Sequence, residues 1–215
     1  MAKSATVKTA KASAAPKAPA LRRTHALGDH YKPGRYGRKD GAPGVTISLV
    51  HPVSIVTIIA RAGKAKALSD AMKKSFGTAL PAPGKSARGK AVSFFWCGAE
   101  QWFAIAQGME EGALFAALAK SSGGLASLSD QSHARMMLRV EGPDARTLLA
   151  RGTPVDLHPR EFGPDASAMT QMAHVGVHVA ASGTDGFELS VFRGFGESFF
   201  EWLTGQAAGL GYELR

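Results

Sequence analysis

Apolar and polar residues alternate along much of the chain in the manner of short strands. Met136, Leu138 and Val140 occupy every second position, with Arg139 and Glu141 between and after them. This period of two predicts a strand over 135–141 with one buried face. Similar runs predict further strands at 45–50, 53–60, 91–97, 101–106, 169–180 and 186–193.

Apolar residues spaced three and four apart predict four helices between and after the strands. The best-bounded helix follows Gly142 and begins at Pro143, where a missing N–H costs nothing, and it ends at Gly152. The others are expected at 64–76, 110–120 and 195–208. The stripes expected to be buried are Ala145, Leu148 and Leu149; then Leu114, Phe115 and Leu118; and finally Phe195, Phe199, Trp202 and Leu203.

The elements recur as strand–strand–helix units, which predicts an α+β fold of antiparallel sheets covered by helices. The chain has 215 residues, 45% of them hydrophobic, so it can bury a sizeable core. We expect a single domain over residues 41–215. The longest apolar stretch, 45–60, is interrupted by His51-Pro52, and no apolar run approaches the length of a membrane span.

The net charge of +9 is unevenly distributed. Residues 1–40 carry ten Lys or Arg against two Asp, whereas residues 91–215 carry eight against fourteen Asp or Glu. The first 20 residues are mostly Lys, Ala, Ser, Thr and Pro, a composition that buries too little surface to fold. We therefore expect residues 1–40 to be a disordered basic arm. A nucleic-acid or membrane contact and a transit peptide are the alternatives.

Residues 30–44 mix Gly, Tyr and basic residues. Such a stretch could stack on and clamp a nucleic-acid strand, or it could dock on an acidic partner subunit. The composition does not separate these alternatives. Cys97 is the sole cysteine, which excludes an internal disulfide and a multi-thiolate metal site. A reducing cytoplasm is the expected location.

Motifs that carry chemistry are incomplete in this sequence. Gly84-Lys85-Ser86 resembles the end of a phosphate-binding loop, but Ala79 stands where the first glycine is required. Gly194 and Gly196 lack the third glycine of a dinucleotide fingerprint and fit a helix start better. Ser132 and His133 are only sequence neighbours, and there is no G-x-S-x-G elbow. No catalytic residues are expected in this chain.

Two histidines have the spacing of a metal pair. His174 and His178 lie four apart, but the intervening valines alternate as in a strand, so we expect both to be exposed strand residues. A metal pair is the alternative, with no third ligand in view. We expect His158 to form hydrogen bonds within its own turn, and Cys97 to be a buried apolar thiol. No metal-binding or cofactor-binding residues are expected.

Aromatic residues concentrate in the two strands at 91–97 and 101–106. They could stack on a pterin or a base, but on alternating strands such residues more often belong to the core or to an interface. We expect core positions for some and a subunit contact for the rest. The residues concerned are Phe94, Phe95, Trp96, Trp102 and Phe103.

Four blocks in order resemble one family. They are the aromatic-Gly-x-acid-x-Trp segment 95–102, the strand–helix unit 125–163, the strand 168–179, and Phe187 to Arg193 followed by Phe195, Ser198 and Trp202-Leu203. Together they resemble the gamma subunit of heterotetrameric sarcosine oxidase, a small relative of the glycine-cleavage T-protein fold. The resemblance is good over 90–212, loose over 41–90 and absent over the first 40 residues.

The resemblance implies a non-catalytic structural subunit of an oxidoreductase acting on CH–NH donors. In that family the complex oxidises sarcosine to glycine, yields hydrogen peroxide and passes a one-carbon unit to tetrahydrofolate. The partners are then the alpha, beta and delta subunits, which hold FAD, FMN, NAD, zinc and tetrahydrofolate. The gamma subunit holds no cofactor and is expected to bind neither membrane nor nucleic acid.

Three alternatives remain open at this point. Related complexes act on other N-methyl amino acids, such as N-methylglutamate, so the substrate is not determined by this sequence. A stand-alone folate-binding relative is a second alternative, although folate-binding T-proteins carry an acidic residue in the strand that 94–97 resembles, and none stands there. A nucleic-acid-binding protein that uses the basic arm is the third.

Overall fold

The computed structural model describes residues 24–215. In chain order its strands are β1 Gly34–Tyr36, β2 Val45–Leu49, β3 Val53–Ala60, β4 Ser86–Ala87, β5 Ser93–Gly98, β6 Gln101–Gln107, β7 Ala126–Asp130, β8 Arg135–Glu141, β9 Ser167–Met172, β10 Val175–Ala181, β11 Gly186–Phe192 and β12 Tyr212–Leu214. The α-helices are α1 Ala65–Phe76, α2 Ala113–Ser122, α3 Ala145–Ala150 and α4 Gly196–Ala207. Two 3₁₀ turns span Gly28–His30 and Arg193–Phe195.

The strands form two sheets. The seven-stranded sheet has the order β1-β12-β2-β8-β11-β10-β9, and the five-stranded sheet has the order β4-β5-β6-β3-β7. Strands β12 and β2 pair in parallel, and the other recorded pairs among the described strands are antiparallel. The predicted α+β fold of antiparallel sheets covered by helices is thus confirmed.

Helices cover the outer face of each sheet. Leu148 of α3 and Leu203 of α4 are fully buried against the seven-stranded sheet. Leu68 of α1 and Leu118 of α2 are fully buried against the five-stranded sheet. A third cluster, which includes Phe95 and others from one sheet and Met137 and Ala180 from the other, fills the space between the sheets. The chain therefore forms four layers, with the sheets inside and the helices outside.

One side of the sandwich is closed by contacts between sheet edges. The N–H of Ser86 donates to the carbonyl of Asp165 at 2.7 Å, and Lys85 forms an isolated antiparallel β-bridge with Ala166. The hydroxyl of Ser167 donates to the carbonyl of Trp96 at 3.0 Å. These bonds join β4 and β5 to β9, so the sheets are held together on that side.

The strand predicted over 169–180 is a hairpin in the structure. Met172 pairs with Val175, and the two residues between them, Ala173 and His174, both have positive φ. A two-residue turn of this kind usually contains Asn or Gly, whose absence here explains why no turn was predicted. Strands β1, β4 and β12, of two or three residues each, were likewise not predicted. Strand β7 was also missed, because its five residues are mostly small or polar.

Two predicted core residues are exposed. Phe115 is 36% exposed, because it stands one position away from the buried stripe of Leu114 and Leu118. Phe195 is 53% exposed, because it belongs to the 3₁₀ turn that precedes α4 and so falls outside the stripe of Phe199 and Leu203. The predicted stripe of α3 is confirmed, since all three of its residues are fully buried.

Ordered structure begins before residue 41. Leu27 is fully buried, and β1 pairs with β12 at the edge of the large sheet. Residues 24–40 thus contribute ordered elements, whereas residues 1–23, the rest of the predicted arm up to residue 23, lie outside the described part of the chain. The division at residues 40 and 41 stays a prediction. Among residues 24–215, no helix is both long and apolar enough to cross a membrane.

Candidate functional site between the sheets

Polar side chains line the inner face of the large sheet. Met137 belongs to the inter-sheet cluster, so Arg135 and Arg139, two positions away on β8, face the same layer. On β11 the residues paired with these two arginines are Phe192 and Glu188. Side chains alternate between the two faces of a strand. One face of β8 and β11 therefore packs in the outer core, and the other points Arg135, Arg139 and Glu188 into the space between the sheets.

Glu188 lies at the centre of an ion-pair cluster. Its carboxylate is 5% exposed and accepts from Arg88 Nη1 and from Arg139 Nη2, each at 3.0 Å. Arg88 also donates to the carbonyl of Ala181 at 2.8 Å and lies over the ring of Phe95. Two arginines that share one buried carboxylate leave a positive balance at this point.

This cluster forms one wall of a cavity of about 370 Å³. Lys90 adds a further cation, and the apolar wall comes from Phe95, Ile105, Met109 and Met137. Three cations against one carboxylate favour an anionic group at this position. The arrangement can bind and orient such a group.

His178 lies in the middle of the same layer and is 2% exposed. Its Nε2 is 2.9 Å from the hydroxyl oxygen of Ser167, whose proton goes to the carbonyl of Trp96. The imidazole therefore donates from Nε2 to Ser167. Burial, and then the charge of Arg135, lower the pKa of His178 to about 3, so the ring stays neutral near neutral pH.

The thiol of Cys97 is also held in its neutral form. The residue is 9% exposed, and burial raises the pKa of the thiol to about 12, although the nearby Arg135 acts in the opposite direction. A thiol with so high a pKa is a poor nucleophile at neutral pH. The predicted buried apolar thiol agrees with this environment.

The predicted exposure of the two histidines is correct for only one of them. His174 is exposed in the β9–β10 turn, whereas His178 is buried in β10 between the rings of Phe95 and Phe103. His174 lies in a turn, because the single strand predicted over 169–180 is a hairpin. His178 is buried because the five-stranded sheet covers the inner face of β10. Within residues 24–215 no group of three or more His, Cys, Asp or Glu is placed to hold a metal ion.

Other residues considered from the sequence have structural partners. The ring of His158 accepts from the N–H of Arg160 at 3.3 Å, as predicted for its turn. The hydroxyl of Ser132 accepts from the N–H of Ile55, while His133 contacts Glu111 at 2.6 Å, so the two neighbours point to different partners.

Most of the aromatic block is core. Phe94, Phe95, Trp102 and Phe103 are each 7% exposed or less, and Trp96 is partly buried. The prediction that some of these residues belong to the core is confirmed. A subunit contact for the rest stays a prediction.

The ion-pair cluster was missed by the sequence analysis. Arg88 and Arg139 are 100 and 49 residues away from Glu188 in sequence, so no local spacing signals their contact. The sequence contains one weaker signal of a charged inner face. Arg139 and Glu188 each stand between apolar residues in a central strand, and those apolar neighbours are buried on the opposite face.

The architecture is that of the T-protein-like fold. Glycine cleavage system aminomethyltransferase T from Bartonella henselae superposes with a TM-score of 0.59 over 80% of this chain and 47% of that one, at 19% identity. A chain of heterotetrameric sarcosine oxidase from Corynebacterium sp. U-96 superposes with a TM-score of 0.71 at 27% identity, over 81% of this chain and 88% of that one.

Sequence comparison gives the family. The model of the sarcosine oxidase, gamma subunit family matches residues 61–209. Sarcosine oxidase subunit gamma from Corynebacterium sp. (strain P-1) is 33% identical over 139 residues, and that from Arthrobacter sp. is 31% identical over 138. Each alignment covers 62% of this chain and 66% of the relative. The chain therefore belongs to the sarcosine oxidase gamma subunit family, and it aligns with just under two thirds of the length of these relatives.

Proposed function

We propose that this chain is a non-catalytic, structural subunit of a heterotetrameric sarcosine oxidase. The complex would oxidise sarcosine to glycine with release of hydrogen peroxide and transfer of a one-carbon unit to tetrahydrofolate. The observation that carries the proposal is the family match over residues 61–209. The superposition on a chain of a heterotetrameric sarcosine oxidase at a TM-score of 0.71 supports it independently.

The chemistry of the inter-sheet layer supports a structural role. A general base near neutral pH needs a pKa close to that pH, whereas the pKa of His178 is about 3 and that of Cys97 about 12. Glu188 is occupied by two arginines. These groups suit a packed interior better than proton or group transfer.

The partners in this proposal are the alpha, beta and delta subunits. FAD, FMN, NAD, zinc and tetrahydrofolate would be held by those subunits, with none in this chain. A cytoplasmic complex is part of the proposal. Residues 1–23, which contain six Lys or Arg and no Asp or Glu, are dispensable for activity in this proposal.

The test is an affinity purification of the tagged chain from its native host. We expect flavin-coloured partners of alpha, beta and delta size in the eluate, together with sarcosine-dependent peroxide production. Activity on N-methylglutamate in place of sarcosine would redirect the substrate only. A colourless lone chain that binds tetrahydrofolate, or one that binds nucleic acid through the basic residues 1–40, would overturn the proposal.

The non-catalytic part is tested in the assembled complex. Cys97→Ser and a chain that lacks residues 1–23 are expected to keep the kcat of the wild-type complex, because neither change touches a reacting group in this proposal. A kcat that fell by more than tenfold while all four subunits were retained would place chemistry in this chain and contradict a purely structural role.

A further inference from the structure

Arg135 is a buried cation without a counter-charge. The residue is 7% exposed, and its Nε and Nη1 atoms are buried with no hydrogen-bond partner. The guanidinium lies between the rings of Phe103 and Phe192, 4.6 Å and 4.3 Å from their centroids. Within residues 24–215 no carboxylate forms an ion pair with it.

The two rings do not replace a counter-charge. Desolvation of a guanidinium is expensive, and stacking on aromatic faces recovers only part of that cost. Burial lowers the pKa of Arg135, and the nearby thiol of Cys97 is neutral and brings no counter-charge. The folded chain therefore holds an unsatisfied positive charge in its interior.

The neighbouring arginine shows how the same sheet satisfies such a charge. Arg139 lies two residues along β8 and pairs across the strands with Glu188, whereas the residue opposite Arg135 is Phe192. No carboxylate of the described residues takes the corresponding place beside Arg135.

Apolar side chains on the inner faces of the sheets are exposed, beginning with Phe192, the residue opposite Arg135. Phe192 is 48%, Met169 40% and Ile59 44% exposed, although all three belong to inner faces of their sheets. A side chain added at Gly176, on β10 between β9 and β11, would meet open space. We call these four residues with Arg135 the cleft mouth.

One cavity beside Arg135 cannot seat an acidic side chain. The cavity there, lined by His25, Arg135 and Arg193, has a volume of about 10 Å³, which is room for roughly one water molecule. A water molecule hydrogen bonds but brings no negative charge. The exposed cleft mouth therefore has more room for an acidic side chain than this cavity does.

The N-terminal residues of this chain do not provide it. Residues 1–23 contain six Lys or Arg and no Asp or Glu. Such a segment would repel Arg135 rather than pair with it. Charge complementarity therefore favours a different chain, one that brings a carboxylate flanked by apolar residues.

We propose that the cleft mouth is the docking site for an acidic, partly apolar segment of another subunit, whose Asp or Glu carboxylate pairs with Arg135. This inference rests on the proposed function, since it names a surface by which the subunit joins its complex. Ile59, Met169 and Phe192 contact the apolar residues of that segment, and their rim excludes water from the ion pair.

Competitive incorporation tests the proposal in the assembled complex. Wild-type and variant chains with different tags are co-expressed with the partner subunits, and their ratio in the purified complex is measured. Arg135→Met is expected to be depleted at least about tenfold, and Phe192→Ser is also expected to be depleted. The matched controls Arg160→Met and Phe115→Ser, at exposed positions outside the cleft mouth, are expected to be incorporated like the wild type.

The stability of the lone chain distinguishes docking from a structural role. Arg135→Met removes an unpaired buried charge, so its thermal midpoint is expected to equal or exceed that of the wild type. Phe192→Glu supplies the cross-strand carboxylate internally, so it is expected to raise the midpoint and still be depleted from the complex. Loss of both stability and incorporation in Arg135→Met would make Arg135 structural and overturn the proposal.

Photo-crosslinking identifies the occupant. A benzoylphenylalanine at position 192 in the purified complex is expected to crosslink to a partner segment that contains Asp or Glu, whereas one at position 115 is not. Crosslinks only to a second copy of this chain, or to residues 1–23, would overturn the proposal. A wild-type chain that captures no partners at all would instead refute the proposed function.

Discussion

Glu188 is the residue whose loss should most disturb the inter-sheet layer. Removing one partner from a buried ion pair costs about 3–5 kcal/mol, because the other charge is left buried. Here the two arginines are 38% and 35% exposed, so solvent screens part of the stranded charge. We therefore expect Glu188→Gln to lower the free energy of unfolding by about 1–3 kcal/mol.

Urea unfolding of the chain measures this change. The midpoint is expected to fall while the m-value stays the same, because the folded surface is unchanged. In thermal unfolding, each kcal/mol corresponds to a shift of roughly 2–4 °C for a domain of this size. Asp70→Asn is the control, because it removes an ion pair with Lys66 that is exposed on α1, and its midpoint is expected to match the wild type.

A double replacement distinguishes two causes of the expected loss. One is the missing attraction between Glu188 and its arginines, and the other is the arginine charge that is left without a partner. Glu188→Met combined with Arg139→Met removes one charge of each sign, and Arg88 keeps its bond to the carbonyl of Ala181. This double variant is expected to be more stable than Glu188→Gln. A Glu188→Gln variant as stable as the wild type would refute the reasoning, because the two arginines would then need no buried carboxylate.

Three further changes test the buried groups individually. Burial lowers the pKa of His178 to about 3. The stability that depends on a neutral His178 is therefore fully present above about pH 6.5. It is lost as the pH falls toward 3, because over this range only the unfolded chain takes up a proton at this residue. His178→Asn should therefore flatten the dependence of the urea midpoint on pH in this window, and a slope equal to that of His174→Asn would contradict this. Because burial raises the pKa of Cys97 to about 12, a thiol reagent at mildly alkaline pH should label the native chain slowly and the urea-unfolded chain quickly; equal rates would count against the buried environment. Leu148→Ala, at a fully buried position in α3, should cost about 2–5 kcal/mol in calorimetry, and a smaller loss would mean that the large sheet and its helix repack.

The outer faces of the sheets were predictable because each strand signals its own buried side. Met136, Leu138 and Val140 stand in a period of two, and α3 follows with a stripe at the helical period. Such signals are local, so they need no knowledge of the rest of the fold.

The inner faces were not predictable in the same way. His178 and Glu188 look like solvent-facing positions in their strands, and only the packing of a second sheet against them buries both. The turn at Ala173 and His174 has no turn residues, and the tertiary pairing of β9 with β10 imposes its conformation. Contacts between segments far apart in sequence decide these features, and a single sequence does not display them.

The register of β8 against β11 connects stability with assembly. At one pair of positions Arg139 faces Glu188 and its charge is balanced within the chain; at the other, Arg135 faces Phe192 and is not. A partner carboxylate that pairs with Arg135 binds only the folded state of the chain, so its binding stabilises that state by mass action. The same side chain that weakens the isolated subunit would then strengthen the complex. Changes that stabilise the lone chain at this position should therefore weaken its incorporation, whereas changes at Glu188 should lower stability and incorporation together.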